Sequence, residues 1–284
     1  MASFDFIDVT IKGYEFVLKN VGYLLKVAIP VIFVKVLCQL LVFVWGFETQ
    51  FLRQGLVLLP AFALEAVFIA GLIRYLMYRE PIFVWGQLVS PPEQDETELM
   101  KFEPEQLAYL DRGNRRTYMQ AGIATYLLIQ VTMLAFIGWT SDIAGLFGSD
   151  PIKPPLHEGL PFAIELIVFA GTLASIIWLF RLVWLYVPVT MGYRLNDFMR
   201  KIKGLKASFY MVMTWLLCFI PLLMISSIFM SLILSPLPDG GAAYIVLRAV
   251  MRSLIEVLVM SVQVSAMTYA VHIIFAGKKE DRNE

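Results

Sequence analysis

Six stretches of the chain are each long and apolar enough to cross, as helix, the roughly 30 Å hydrocarbon core of a bilayer. They lie near 22–46, 56–78, 118–139, 160–187, 208–234 and 248–273. With 59% of its residues hydrophobic and 16% charged, against about 25% charged in an ordinary soluble domain, the chain cannot cover its surface with polar groups. Most of that surface must face lipid, which makes it an all-α polytopic membrane protein.

One phrase is written twice. IKGYEFVLKNVGYLLKVAIP (11–30) and IKGLKASFYMVMTWLLCFIP (202–221) share Ile, Lys, Gly, Val, Leu, Ile and Pro at a constant offset of 191. Carried further, the offset lays Glu65 on Glu256, and LPAFALEAVFIAG (59–71) resembles LPFAIELIVFAG (160–171), which aligns Glu65 with Glu165. The expected unit is a hairpin of two spans used three times in one direction, its returning helix carrying a glutamate. The prolines at 30, 60, 161 and 221 are expected near helix ends, where Pro is tolerated.

Asp5, Asp8, Lys12, Glu15 and Lys19 recur at steps of three and four, opposite Phe4, Ile7, Ile11, Tyr14, Leu18 and Val21. That pattern reads as an amphipathic helix in the membrane interface; a helix packed on the bundle is the other reading. Charges interrupt the N-terminal stretch too often for a signal peptide. Basic residues crowd 79–117, 188–207 and the C-terminal tail and are sparse in the other loops, so the positive-inside rule places both termini in the cytoplasm. The organisation expected is one membrane domain over 1–284: an interfacial helix 5–20, hairpin 22–78, cytoplasmic loop 79–117, hairpin 118–187, interfacial segment 192–207, hairpin 208–273 and cytoplasmic tail 274–284. Residues 89–98, Pro- and Glu-rich, read as flexible, and 103–116 as a short surface helix.

A charge near the bilayer centre costs roughly 2.5–3.5 kcal/mol on insertion scales, so each one asks for a partner. The candidates are Lys35, Glu65, Gln130, Glu165, Arg181, Arg248, Arg252 and Glu256. Lys35 and Glu65 fall at comparable depth and read as an ion pair. Arg252 and Glu256 are four apart on one helix face. Arg181, among Trp178, Trp184 and Tyr186, reads as snorkelling to the interface. The alternative makes Glu65, Glu165 and Glu256 a protonatable cluster of an ion-coupled carrier.

No catalytic constellation, metal-ligand spacing or phosphate loop is legible. His157 and His272 stand apart, and Asp142, Asp150 and Glu158 read as loop solvation rather than as a lipid enzyme's acids. No cofactor is expected and no enzyme. Cys38 and Cys218 lie in apolar helices, away from any disulfide framework. A formal net charge of zero gives no field for nucleic acid. The partners expected are membrane lipids and a membrane protein, with the oligomeric state open.

The lead-in KGYEFVLKNVGYLL followed by IP, and KGLKASFYMVMTWLL after a segment ending LYVP, resemble the bacterial six-helix membrane families typified by YciC-like envelope proteins and by the membrane domain of some glycerophosphodiester phosphodiesterases. The resemblance implies an inner-membrane protein without catalytic residues, acting in envelope or lipid homeostasis or as an embedded partner subunit. A small-solute or ion-coupled transporter using the glutamates is the alternative. The acidic 89–108 loop departs from the family pattern.

Overall fold

The computed structural model describes residues 4–48, 50–84, 87–89, 115–146, 170–171, 174, 177–178, 180–238 and 241–276. They form α1 (Phe6–Lys19), α2 (Val21–Val44), α3 (Phe51–Tyr78), α4 (Arg115–Leu146), α5 (Tyr186–Met191), α6 (Leu195–Lys201), α7 (Leu205–Leu234) and α8 (Ala242–Ala276), with a 3₁₀ turn at Arg181–Trp184 before α5. α2, α3, the 116–135 stretch of α4, and α7 are long and apolar enough to cross a membrane. One element departs from the all-α expectation: strands β1 (Ile82–Val84) and β2 (Gln87–Val89) pair antiparallel, Ile82 opposite Val89. These β-branched and apolar triplets favour a pleated surface over another helical turn.

Glu165, Pro161, His157, Asp150, Glu158, the 90–98 and 103–114 stretches and the tail from 277 lie outside the described residues, as does most of 160–171. So does the side chain of Asp142.

α8 is the centre. It packs against α1, α2, α3, α5 and α7, and small residues let it do so: Ser253, Ser261, Ser265, Ala266, Thr268 and Ala270 are buried. The Ser261, Ser265 and Thr268 hydroxyls donate to the carbonyl four residues back, at 2.8, 2.7 and 2.7 Å. Those polar groups therefore need no water. α2 packs on α3, and α7 on α8. At the offset of 191, Phe51, the first residue of α3, falls on Ala242, the first of α8. Val44, the last of α2, falls one residue past the end of α7.

The two lead-ins diverge. In the first, the helix breaks at Asn20, whose side-chain amide donates to the Phe16 carbonyl at 2.8 Å and closes α1. In the second, the corresponding residues run unbroken into α7. The shared glycine changes role accordingly. Gly204 precedes α7 with φ 111°, a conformation side chains resist, whereas Gly13 lies within α1, where an added Cβ would come 2.9 Å from Ala266 Cβ. Gly13 is what lets α1 close on α8.

α1 carries three stripes at about 100° per residue. Val9, Thr10, Gly13 and Val17 are buried against α8 and α7. Asp8, Lys12, Glu15 and Lys19 form a charged stripe. Ile7, Ile11 and Leu18 remain exposed between the other two, Leu18 at 70%. The helix packs on the bundle and keeps an exposed apolar face.

The prolines correct an expectation. Pro30, Pro60 and Pro221 stand inside α2, α3 and α7, not at their ends. Proline 221 has no N–H for the Leu217 carbonyl, four residues back. The Tyr14 hydroxyl of α1 donates to that carbonyl at 3.2 Å and to the Cys218 carbonyl at 3.0 Å. A neighbouring helix thus supplies the donor the proline removes. Burial, with the Cys218 thiol beside it, pushes the Tyr14 phenol up to about 12.

Tyr14→Phe is expected to lower stability by about 1 kcal/mol in thermal unfolding, and by less in a Pro221→Ala background, where the carbonyl regains its own N–H. Because the phenol's folded value lies above its unfolded value near 10, the Tyr14 contribution is whole below about pH 10 and is lost as pH rises through 12. A Tyr14→Phe chain should show less of that alkaline loss. Gly13→Leu should part α1 from α8, destabilise by about 1–3 kcal/mol, and expose residues 4–20 to limited proteolysis.

Candidate functional site

The candidate site is built on the middle of three helices. α2 brings Lys35, α3 brings Glu65, and α8 brings Glu256 and Arg252. Glu65 and Glu256 are each fourteen steps from the first residue of their helix, about 21 Å along it, and both helices start at the same end of the bundle, here termed the turn end.

Lys35 is 4% exposed and Glu65 3%, and the Lys35 ammonium lies 2.7 Å from Glu65 Oε2. It also donates to Glu256 Oε2 at 3.2 Å. Each carboxylate uses its second oxygen on another donor. Glu65 Oε1 accepts from the Tyr126 hydroxyl of α4 at 2.9 Å, and Glu256 Oε1 from Arg252 Nε at 2.9 Å. Two cations and two anions leave the cluster formally neutral. Tyr126 is held in turn by the ring of Tyr186, which meets it edge-on at 5.3 Å. Glu65 is sealed, while the Glu256 side chain is 37% exposed and Arg252 50%.

Set against the sequence reading, Lys35 meets Glu65 and Arg252 meets Glu256. The third contact, Glu256 on Lys35, was not foreseen, and it merges the two pairs into one network. Two of the three aligned glutamates converge; Glu165 lies outside the described residues. Tyr126 was missed, although it stands four residues before Gln130 and so shares its helix face. Arg181 does not snorkel. It is 6% exposed, with its guanidinium carbon 3.6 Å from the centre of the Trp178 ring, whose face attracts the cation.

A second polar knot, also missed, closes the opposite end of the bundle. Arg74 of α3 donates through Nε to Glu80 Oε2 at 2.7 Å and through Nη1 to the Thr190 carbonyl at 3.2 Å. Tyr78 donates to the Met191 carbonyl at 2.6 Å. Lys201 of α6 donates to the Ile274 carbonyl at 3.2 Å, in the last turn of α8, where free carbonyls want a donor. α3 can fold Glu80 back onto Arg74 because Arg79 takes a left-handed conformation, φ 56°. Burial pulls the Lys201 ammonium below its ordinary value.

Cys38 and Cys218 are buried free thiols. Among the described residues, no three His, Cys, Asp or Glu side chains group so as to hold a metal ion. No family model, curated protein or solved structure matches the chain.

Removing one partner of a buried pair costs about 3–5 kcal/mol, because the other charge stays uncompensated. Lys35→Met strands two carboxylates and should lose that much in chemical unfolding. Glu65→Gln in the same chain should return a large part of it, while Glu256→Gln, at a half-exposed site, should return less. Equal and additive losses from Lys35→Met and Glu65→Gln would show that the two side chains do not act as a pair.

Proposed function

We propose that this is an integral membrane protein of six crossings with both termini cytoplasmic, working without catalysis. It acts in envelope or lipid homeostasis of a bacterial inner membrane, or as a partner subunit embedded there. Its hairpins are copies of one parallel unit, and α1 lies at the cytoplasmic interface with Ile7, Ile11 and Leu18 toward lipid.

The observation that carries the reading is the outward surface of α7. Ile225, Ile228, Phe229 and Leu232 are 52–72% exposed, in a helix that buries little else. A contiguous apolar face of that size belongs against lipid or another protein. The coincidence of helix ends at the offset of 191 supports the repeated unit. The self-neutralised cluster supports a structural role for its charges, since in lipid the polar contacts between helices, not water, hold a bundle in register.

A carrier that uses the glutamates is the second reading. One observation favours it: Arg252, a member of the cluster, also lines a half-enclosed cavity at the turn end.

In a chain carrying Cys38→Ser and Cys218→Ala, single cysteines at Gln50 and Glu284 test the topology. A membrane-impermeant maleimide should label Gln50→Cys in intact cells and Glu284→Cys only after lysis; labelling of Glu284→Cys from outside refutes the orientation. For function, Glu256→Gln should leave both protein level and cell phenotype near wild type. Normal abundance with lost phenotype would favour the carrier.

A further inference from the structure

The turn end of the bundle holds a half-enclosed cavity of about 470 Å³ between the last turns of α2, the α2–α3 turn and the first turns of α8. That volume lies in the range of small-molecule sites. Its polar walls are Gln39, Glu48, Gln54, Tyr244, Arg248 and Arg252. Arg248 and Arg252 are four apart on α8, about 6 Å along the helix, so both guanidinium groups reach the same space. Arg252 commits only its Nε, to Glu256, and Arg248 has no ion pair or hydrogen bond among the described residues. Glu48, on the facing turn, likewise has no ion pair among them.

Two forked cations with uncommitted donors suit the oxygens of a phosphoryl group better than a lysine would, because the guanidinium plane binds two oxygens at once. The lone carboxylate selects further. A bare phosphate would face Glu48 with like charge, whereas a phosphate ester carrying an amine satisfies both sides.

We propose that this cavity binds an amine-bearing phosphate ester of the phosphoethanolamine class, with Arg248 and Arg252 on the phosphoryl oxygens and Glu48 on the ammonium. The proposal rests on the membrane reading and gives it a ligand. The cavity opens at the level of the helix ends, where head groups lie, so a phospholipid head group and a soluble phosphoethanolamine share the chemistry required.

The test uses the full chain purified in detergent. Native mass spectrometry measures retention of phosphatidylethanolamine against phosphatidylglycerol, and calorimetry measures binding of phosphoethanolamine and of inorganic phosphate. The wild type should prefer the amine-bearing form in each pair. Arg248→Gln, at an exposed side chain outside the ion-pair network, should weaken phosphatidylethanolamine about tenfold, or 1.4 kcal/mol. Glu48→Gln should erase the preference for the amine while phosphate binding persists. Binding of the lipid alone assigns the site to a head group; comparable binding of free phosphoethanolamine assigns it to a solute. If both variants stay folded and bind every probe as the wild type does, the site is overturned and membrane insertion stands. If alkaline carbonate strips the wild-type chain from membranes, the membrane reading itself fails.

Discussion

The bundle turns on a lysine that cannot reach water. Lys35 stands in mid-helix with apolar turns above and below it, and an uncompensated ammonium there would oppose insertion as well as folding. Its two carboxylates come from α3 and α8, so making both contacts requires both helices to dock on α2 at one depth. Apolar side chains cannot impose that condition. Lipid is as apolar as leucine, and one leucine ridge slides past another at little cost. The ion pairs set the register, and Tyr126 extends it to α4 through Glu65.

Backbone chemistry follows the same logic. A proline within a helix leaves a carbonyl without its N–H, and in an apolar surrounding that carbonyl must find a donor nearby. For Pro221 the donor is Tyr14, on a helix placed there by a glycine that admits close approach to Ala266. Tyr14, Gly13 and Pro221 are thus parts of one joint, which fastens the N-terminal helix across α7 and α8. The two ends of the bundle differ in kind. One is closed by Arg74, Tyr78 and Lys201 on backbone carbonyls; the other opens into a cavity lined by Arg248 and Arg252.

Much of this is legible in the sequence. Uninterrupted apolar length locates helices because backbone groups in lipid must be satisfied within the segment, and α2, α3, α4, α7 and α8 fall close to their expected ranges. The Lys35–Glu65 and Arg252–Glu256 pairs were legible because depth along a helix and i,i+4 spacing are counted directly from the chain. Other features left no such count. Glu256 reaches Lys35 across more than two hundred residues, and nothing in the spacing distinguishes a carboxylate facing its own arginine from one shared with another helix. Arg181 reads as a snorkelling residue beside its tryptophans, yet whether a guanidinium leaves or stacks depends on which face its neighbours occupy. Pro221 was misplaced because a donor on another helix is invisible to a rule written for one helix.

By itself, then, the sequence determined that the chain must bury apolar helices and which charges within them needed partners. These follow from solvation and helical period, and both act locally. The tertiary structure alone decided that two pairs form one four-membered network, that Tyr14 relieves Pro221, and that two arginines of α8 face a glutamate across a cavity. Each of these depends on the azimuth at which one helix meets another, a quantity set only when all the helices have packed.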